Sequence, residues 1–189
     1  EVETGKVKAT INHRGEINSA QFSRDSRFVI TASQDRSSKI LDLETGKEKT
    51  IAELSSAINS AALSPDGQYV VTASGDKTAQ IIEVATEIKK HIVQHQGTVN
   101  TAQFSTDGRF IVTASWDHTV KVVEVATGTE KLEIRHGDIV NSAEFSQDGK
   151  YVVTSSNDRT SKIVDIETDI VKAIIPHQGP VISAQFSRD

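Results

Sequence analysis

The 189-residue chain contains no cysteine, which excludes a disulfide framework and any thiolate metal site while leaving the compartment open. It has no apolar run near the roughly 18 residues that a membrane span requires, and no secretory charged-then-apolar segment follows Glu1. No membrane partner is expected; the chain reads as soluble, with the cytoplasm slightly favoured. Residue 1 is Glu rather than Met, so the sequence reads as a processed, trimmed or partial product. Aromatic residues are scarce, at 5%, too few for the platforms of a typical glycan binder. Cations are not grouped: 21 Lys and Arg are scattered among 26 Asp and Glu, for a net charge of −5. That argues against a nucleic-acid partner, whose phosphates draw affinity from clustered positive charge.

What is present is repetition. INSAQFSRD, from Ile17, returns as INSAALSPD from Ile58, VNTAQFSTD from Val99, VNSAEFSQD from Val140 and VISAQFSRD from Val181, each 41 residues after the last. A fixed period of this size means one supersecondary unit stacked on copies of itself, because a single unit cannot bury its own apolar face. Each unit holds four short β-like runs between turns, leaving no room for a helix. In the first unit these are Ile17 to Ser23, the continuous apolar FVITAS from Phe28 to Ser33, Ser38 to Leu43, and the polar Lys47 to Glu53. Between the first two runs, Asp-Gly pairs recur at Asp66-Gly67, Asp107-Gly108 and Asp148-Gly149, where Gly supplies a positive φ. Lys47, Lys49, Lys89, Lys90, Lys131 and Lys172 lie on or beside the fourth run, and lysine there marks a sheet edge guarded against further pairing.

The expected fold is all-β, a β-propeller of four-stranded antiparallel blades. The repeat units span about 6–46, 47–87, 88–128 and 129–169, with 170–189 starting a fifth. Glu1 to Gly5 matches Glu124 to Gly128, and the chain stops after a first strand. Four complete blades with one detached strand at each end are therefore expected: a fragment or arc of a larger ring, or a ring completed in trans by a homo-oligomer.

His13, Ser33 and Asp35 have the residue types of an acyl-transfer triad. The spacing repeats in His95, Ser115 and Asp117 and again in His136, Ser156 and Asp158. A catalytic set is needed once per site, so a part that recurs with every unit reads as structural, with the Ser hydroxyl expected to bridge His and Asp. No catalytic residue, metal site or cofactor is expected; His118 stands alone, without a second ligand at suitable spacing.

The order His13, Ser33-Gln34-Asp35, Leu41-Asp42 and Leu43-Glu44-Thr45-Gly46 resembles the WD-repeat β-propeller family over the whole chain. The sequence departs from that pattern at the Gly before the His, which is Asn12, Glu53, Gln94, Arg135 and Pro176 here. The family's Trp is Leu41, Ile82, Val123 and Val164, so a His/Ser/Asp/Trp network would have at most three members. In the second unit Leu54 stands in the His position, leaving Ser74 and Asp76 without that partner and making this blade the weakest by about 1 kcal/mol.

The resemblance implies a non-catalytic platform whose protein or peptide partner sits on the top face. Carried over residue by residue, the contact positions are Glu16, Asn18, Gln34, Asn59, Thr98, Asn100, Trp116, Ile139, Asn141 and Asn157. Trp116 is the single Trp and is either an interface anchor or packed over a neighbouring turn. The Asn row either offers amides to a ligand or satisfies strand-end backbone. The function expected is an interaction scaffold. The alternatives are a repeated small-ligand or glycan module and an engineered or reconstructed repeat fragment without its own ligand; a hydrolase ranks last.

Overall fold

In the computed structural model, which describes residues 4–187, the chain forms four antiparallel four-stranded sheets and no helix. Blade 1 is β1 (Ile17–Phe22), β2 (Phe28–Ser33), β3 (Ser37–Asp42) and β4 (Glu48–Glu53). Blade 2 is β5 (Ile58–Leu63), β6 (Tyr69–Ser74), β7 (Thr78–Glu83) and β8 (Lys89–Gln94). Blade 3 is β9 (Val99–Phe104), β10 (Phe110–Ser115), β11 (Thr119–Glu124) and β12 (Glu130–Arg135). Blade 4 is β13 (Val140–Phe145), β14 (Tyr151–Ser156), β15 (Thr160–Asp165) and β16 (Ile170–Pro176). Each sheet runs in chain order, so the polar fourth strand is an edge in every blade. Residues 5–16 and 180–187 take no strand assignment; the match of Glu1 to Gly5 with a third-strand tail falls largely outside the described residues.

The apolar second strands lie inside each sheet, and their sequence explains why. Val70, Val71, Val112 and Val152 are β-branched side chains with no exposed surface, suited to a pleated strand covered on both faces. Their burial comes from neighbouring blades. Ile30, Ala32 and Ile51 of blade 1 cluster with Ile58, Val70 and Ile82 of blade 2. A second cluster joins blades 2 and 3, and a third joins Val112, Val122 and Ile134 of blade 3 to Val140, Val152 and Val164 of blade 4. One core thus lies at each junction, as the repeat requires. The Trp positions of the family's pattern contribute: Leu41, Ile82, Val123 and Val164 are at most 4% exposed, as packing groups rather than hydrogen-bond donors.

The turns obey their chemistry. Gly67, Gly108 and Gly149 have φ of 71–73°, and in each case a Ser before the turn donates to the turn Asp. Blade 1 has Ser26 in the Gly position, at φ 58°, a conformation that a side chain disfavours. The turn after the second strand instead places Arg36, Lys77, His118 and Arg159 at φ of 69–72°. His118 is therefore a turn residue, and it is exposed.

Candidate functional site: the top face and its buried network

Two layers of polar side chains occupy the end of the blades where the first strand starts and the second strand turns. The buried layer is built identically in blades 1, 3 and 4. In blade 3, His95 Nδ1 lies 2.9 Å from Asp117 Oδ2 and its Nε2 lies 2.9 Å from Thr113 Oγ1. Asp117 also accepts the Gln96 N–H at 2.7 Å, the Thr119 N–H at 3.0 Å and the Thr119 hydroxyl at 2.6 Å. His13 repeats this with Asp35, Thr31 and Ser37, and His136 with Asp158, Thr154 and Thr160. The three imidazoles have at most 1% of their side-chain surface exposed.

This corrects the sequence reading in one respect. Ser33, Ser115 and Ser156 do not bridge His and Asp; each Oγ accepts the turn Asp's own N–H at 3.1 Å. Ser115 and Ser156 also donate to the loop carbonyls of Thr98 and Asp138. The hydroxyl at the imidazole Nε2 belongs to Thr31, Thr113 or Thr154, two residues earlier on the same strand, because side chains two apart on a strand share a face, and the hydroxyl of Ser37, Thr119 or Thr160 lies 3.1–3.4 Å from Nδ1. With Ser37, Thr119 or Thr160 on the carboxylate, the network has four members and not the three expected. No Trp is needed for it.

The electrostatics follow from burial against hydrogen bonding. Burial pushes the Asp117 carboxyl up, but the Thr119 hydroxyl, the Gln96 N–H and His95 outweigh it and hold it at about 2. Asp35 and Asp158 lie well below the usual carboxylate range by the same balance. Burial pushes His95 and His136 below their ordinary value of 6.5, and the facing carboxylates oppose this only in part. All five groups thus bind more protons unfolded than folded. Their stabilisation is complete above pH 6.5 and is lost on acidification, the His share first and the Asp share below about pH 4. The urea midpoint should be level from pH 7 to 8 and fall in two stages below 6.5; His95→Leu should shrink the first stage.

Blade 2 shows what the imidazole supplies. Leu54 packs beside the core, and Thr72 Oγ1 is buried with no hydrogen-bond partner. Ser74 still accepts the Asp76 N–H and donates to Ala57 O. Asp76 keeps both Thr78 bonds, but its second oxygen has only a 3.4 Å contact from Ser55. Among the described residues, three of the five buried polar side-chain atoms without a partner, on Thr72, Gln80 and His91, are in this blade.

The outer layer is the Asn row. In every blade the first strand's register skips the Asn: Ile17 pairs Ser33 while Ser19 pairs Ala32, with like shifts at Asn59, Asn100 and Asn141. A bulge re-aims its side chain; three of the four amides reach the next blade, and that of Asn141 reaches the segment after blade 4. Asn18, Asn59 and Asn141 donate at 2.8 Å to the carbonyls of Ile58, Val99 and Val181, and Asn100 donates at 3.2 Å to that of Val140. Asn18, Asn59 and Asn100 therefore tie blade to blade. Gln34 donates to Asn18 at 3.2 Å, and Trp116 Nε1–H donates to Asn100 Oδ1 at 2.7 Å. Asn157 accepts from Asn141 at 2.8 Å. Glu16, Thr98 and Ile139 use their carbonyls to accept the N–H of Gln34, Trp116 and Asn157. Trp116 is 51% exposed, fixed at its nitrogen and open across its ring.

The stacked four-stranded blades define a β-propeller architecture. The WD domain, G-beta repeat model matches residues 5–42, and the repeated four-stranded antiparallel blades over the rest of the chain fit a WD-repeat propeller. Over residues 64–188 the chain also matches the model for the cytochrome D1 heme domain, another propeller-type domain. No curated protein matches it significantly. Repeats of the WD family generally mediate protein–protein interaction and are typically non-enzymatic. The network histidines are not free to hold a haem iron. His95 and His136 have both ring nitrogens engaged within the network. Two grooves, of about 600 and 1000 Å³, have no His or Tyr in their linings. No helix among the described residues is long and apolar enough to cross a membrane.

Proposed function

We propose that the chain is a non-catalytic scaffold that binds a protein or peptide across its top face, with Trp116 as the anchor. One observation carries this reading: a half-exposed indole whose only polar atom is already bonded within the chain. Such a ring offers a large, rigid apolar surface and loses little conformational freedom on binding. The network histidines support the non-catalytic part, because their side chains are shielded from any substrate and both ring nitrogens are engaged. Gln34 and Asn157 flank the Asn row as polar contacts of the same surface.

Trp116 is the single Trp, so its emission reports binding directly. Peptides selected from a random library against the chain should shift that emission. Trp116→Ala should weaken them at least ~10-fold while leaving the urea midpoint within error of the parent. Selected peptides that bind Trp116→Ala undiminished would refute the assignment.

A further inference from the structure

Blade 2 leaves open, on the top face, an acceptor that the other three blades keep occupied. In blades 1, 3 and 4 the Oδ2 atom of the turn Asp lies 2.8–3.0 Å from the imidazole Nδ1. The same oxygen accepts, at 2.7–2.9 Å, the N–H of the residue after the His, which is Arg14, Gln96 or Gly137. In blade 2 Leu54 brings no imidazole and the Ser55 N–H makes no bond to Asp76. Among the described residues, Asp76 Oδ2 has one contact, the Ser55 hydroxyl at 3.4 Å. The turn nevertheless holds the carboxylate in place: Thr78 donates its N–H at 3.1 Å and its hydroxyl at 2.7 Å to Oδ1, and Ser74 Oγ accepts the Asp76 N–H at 3.1 Å. Asp76 is half-buried and Ser55 is exposed. The residue before it is Gly75, where the other blades have Gln34, Trp116 and Asn157, so no side chain from that position stands over the corner.

We propose, resting on the reading of Trp116 as the anchor, that Asp76 receives a cationic side chain of the same peptide, an arginine guanidinium or a lysine ammonium. A fixed carboxylate oxygen short of a partner binds a charged donor more strongly than a neutral one. A guanidinium has several N–H groups in one plane, so it can serve Asp76 Oδ2 and the Ser55 hydroxyl together. Trp116 stands at the matching turn of the adjoining blade, 41 residues after Gly75, and the two blades are tied by the Asn59 amide on Val99 O at 2.8 Å. One extended peptide therefore meets both. The charged residues that flank the corner in sequence, Glu53 and Lys77, are exposed and of opposite sign, which leaves Asp76 to set the preference for a cation. Leu54 creates the site, because an imidazole there would take Oδ2 as it does in blades 1, 3 and 4.

The peptides selected from a random library are expected to carry Arg or Lys beside an apolar residue. Asp76→Asn keeps the shape and an oxygen for Thr78, and should weaken those peptides at least ~10-fold with an unchanged urea midpoint. Replacing the peptide's basic residue by norleucine should cost as much against the parent and little against Asp76→Asn, a coupling that reports direct contact. Leu54→His fills Oδ2 from within, so it should weaken the peptides while raising the urea midpoint, opposite signs that a merely structural Asp76 would not give. Peptides that depend on Trp116 yet bind Asp76→Asn or Leu54→His undiminished, or that carry no basic residue, overturn the Asp76 proposal and leave the anchor standing. Peptides weakened by Asp76→Asn but indifferent to Trp116→Ala would uphold the cation site and remove the anchor, and a library that yields no binder overturns both.

Discussion

Asp117→Ala is expected to destabilise the chain by about 3–5 kcal/mol, the largest effect of any single substitution considered. The carboxylate accepts from the Gln96 N–H, the Thr119 N–H and hydroxyl, and His95. Alanine leaves all these donors without it, and the imidazole cannot turn to water because its side chain has no exposed surface. Each orphaned buried donor costs roughly 1–3 kcal/mol, more than the net worth of the bond it lost. The same substitution at Asp76 removes two close bonds and one long contact and orphans no imidazole, so it should cost less than half as much. Urea unfolding of the two variants gives the comparison. Equal losses would mean that the imidazole contributes nothing and that the turn alone carries the effect. Hydrogen exchange should place the damage of Asp117→Ala in blade 3 and its junctions, because contacts in a repeat array are between neighbours.

The fold was legible because period and pattern act at the same scale. A 41-residue register without a break specifies the stacking, and the apolar FVITAS type of run specifies the strand that neighbouring blades must cover. The site was only partly legible. That His13 and Asp35 belong together follows from their recurrence. Which hydroxyl completes the network does not, since Ser33 and Thr31 lie on the same strand face and spacing favours neither; the tight turn recruits Ser33 for its own backbone. The signal was there in Thr31, Thr72, Thr113 and Thr154, one Thr in every second strand at the same position. The purpose of the Asn row was likewise open until the bulges appeared, because a bulge is a register event between two strands and no single strand's sequence displays it.

Leu54→His tests how far one blade can be rebuilt from the rules of the others. The position is prepared: Leu54 N–H donates to Arg36 O at 3.0 Å, as His95 N–H donates to Lys77 O and His136 N–H to His118 O at 2.9 Å. An imidazole there would reach Asp76 on one side and Thr72 Oγ1 on the other, giving the buried hydroxyl the partner that it lacks. Two bonds and the relief of one orphan should exceed the loss of a partly buried leucine's packing, for a net gain of about 1–2 kcal/mol. Gain alone does not identify the mechanism, but Thr72→Val does. In the parent that change removes an unpartnered hydroxyl at nearly constant shape and should be neutral or stabilising. In Leu54→His it removes a partner of the new imidazole and should be destabilising by about 1 kcal/mol or more. The sign reversal is a coupling between the two positions, measurable as a double-mutant cycle in urea. Additive effects would mean that the imidazole does not engage Thr72 and that the network of blades 1, 3 and 4 cannot be transplanted by its His alone. A measured coupling would make residue 54 the point where the second blade departs from its neighbours.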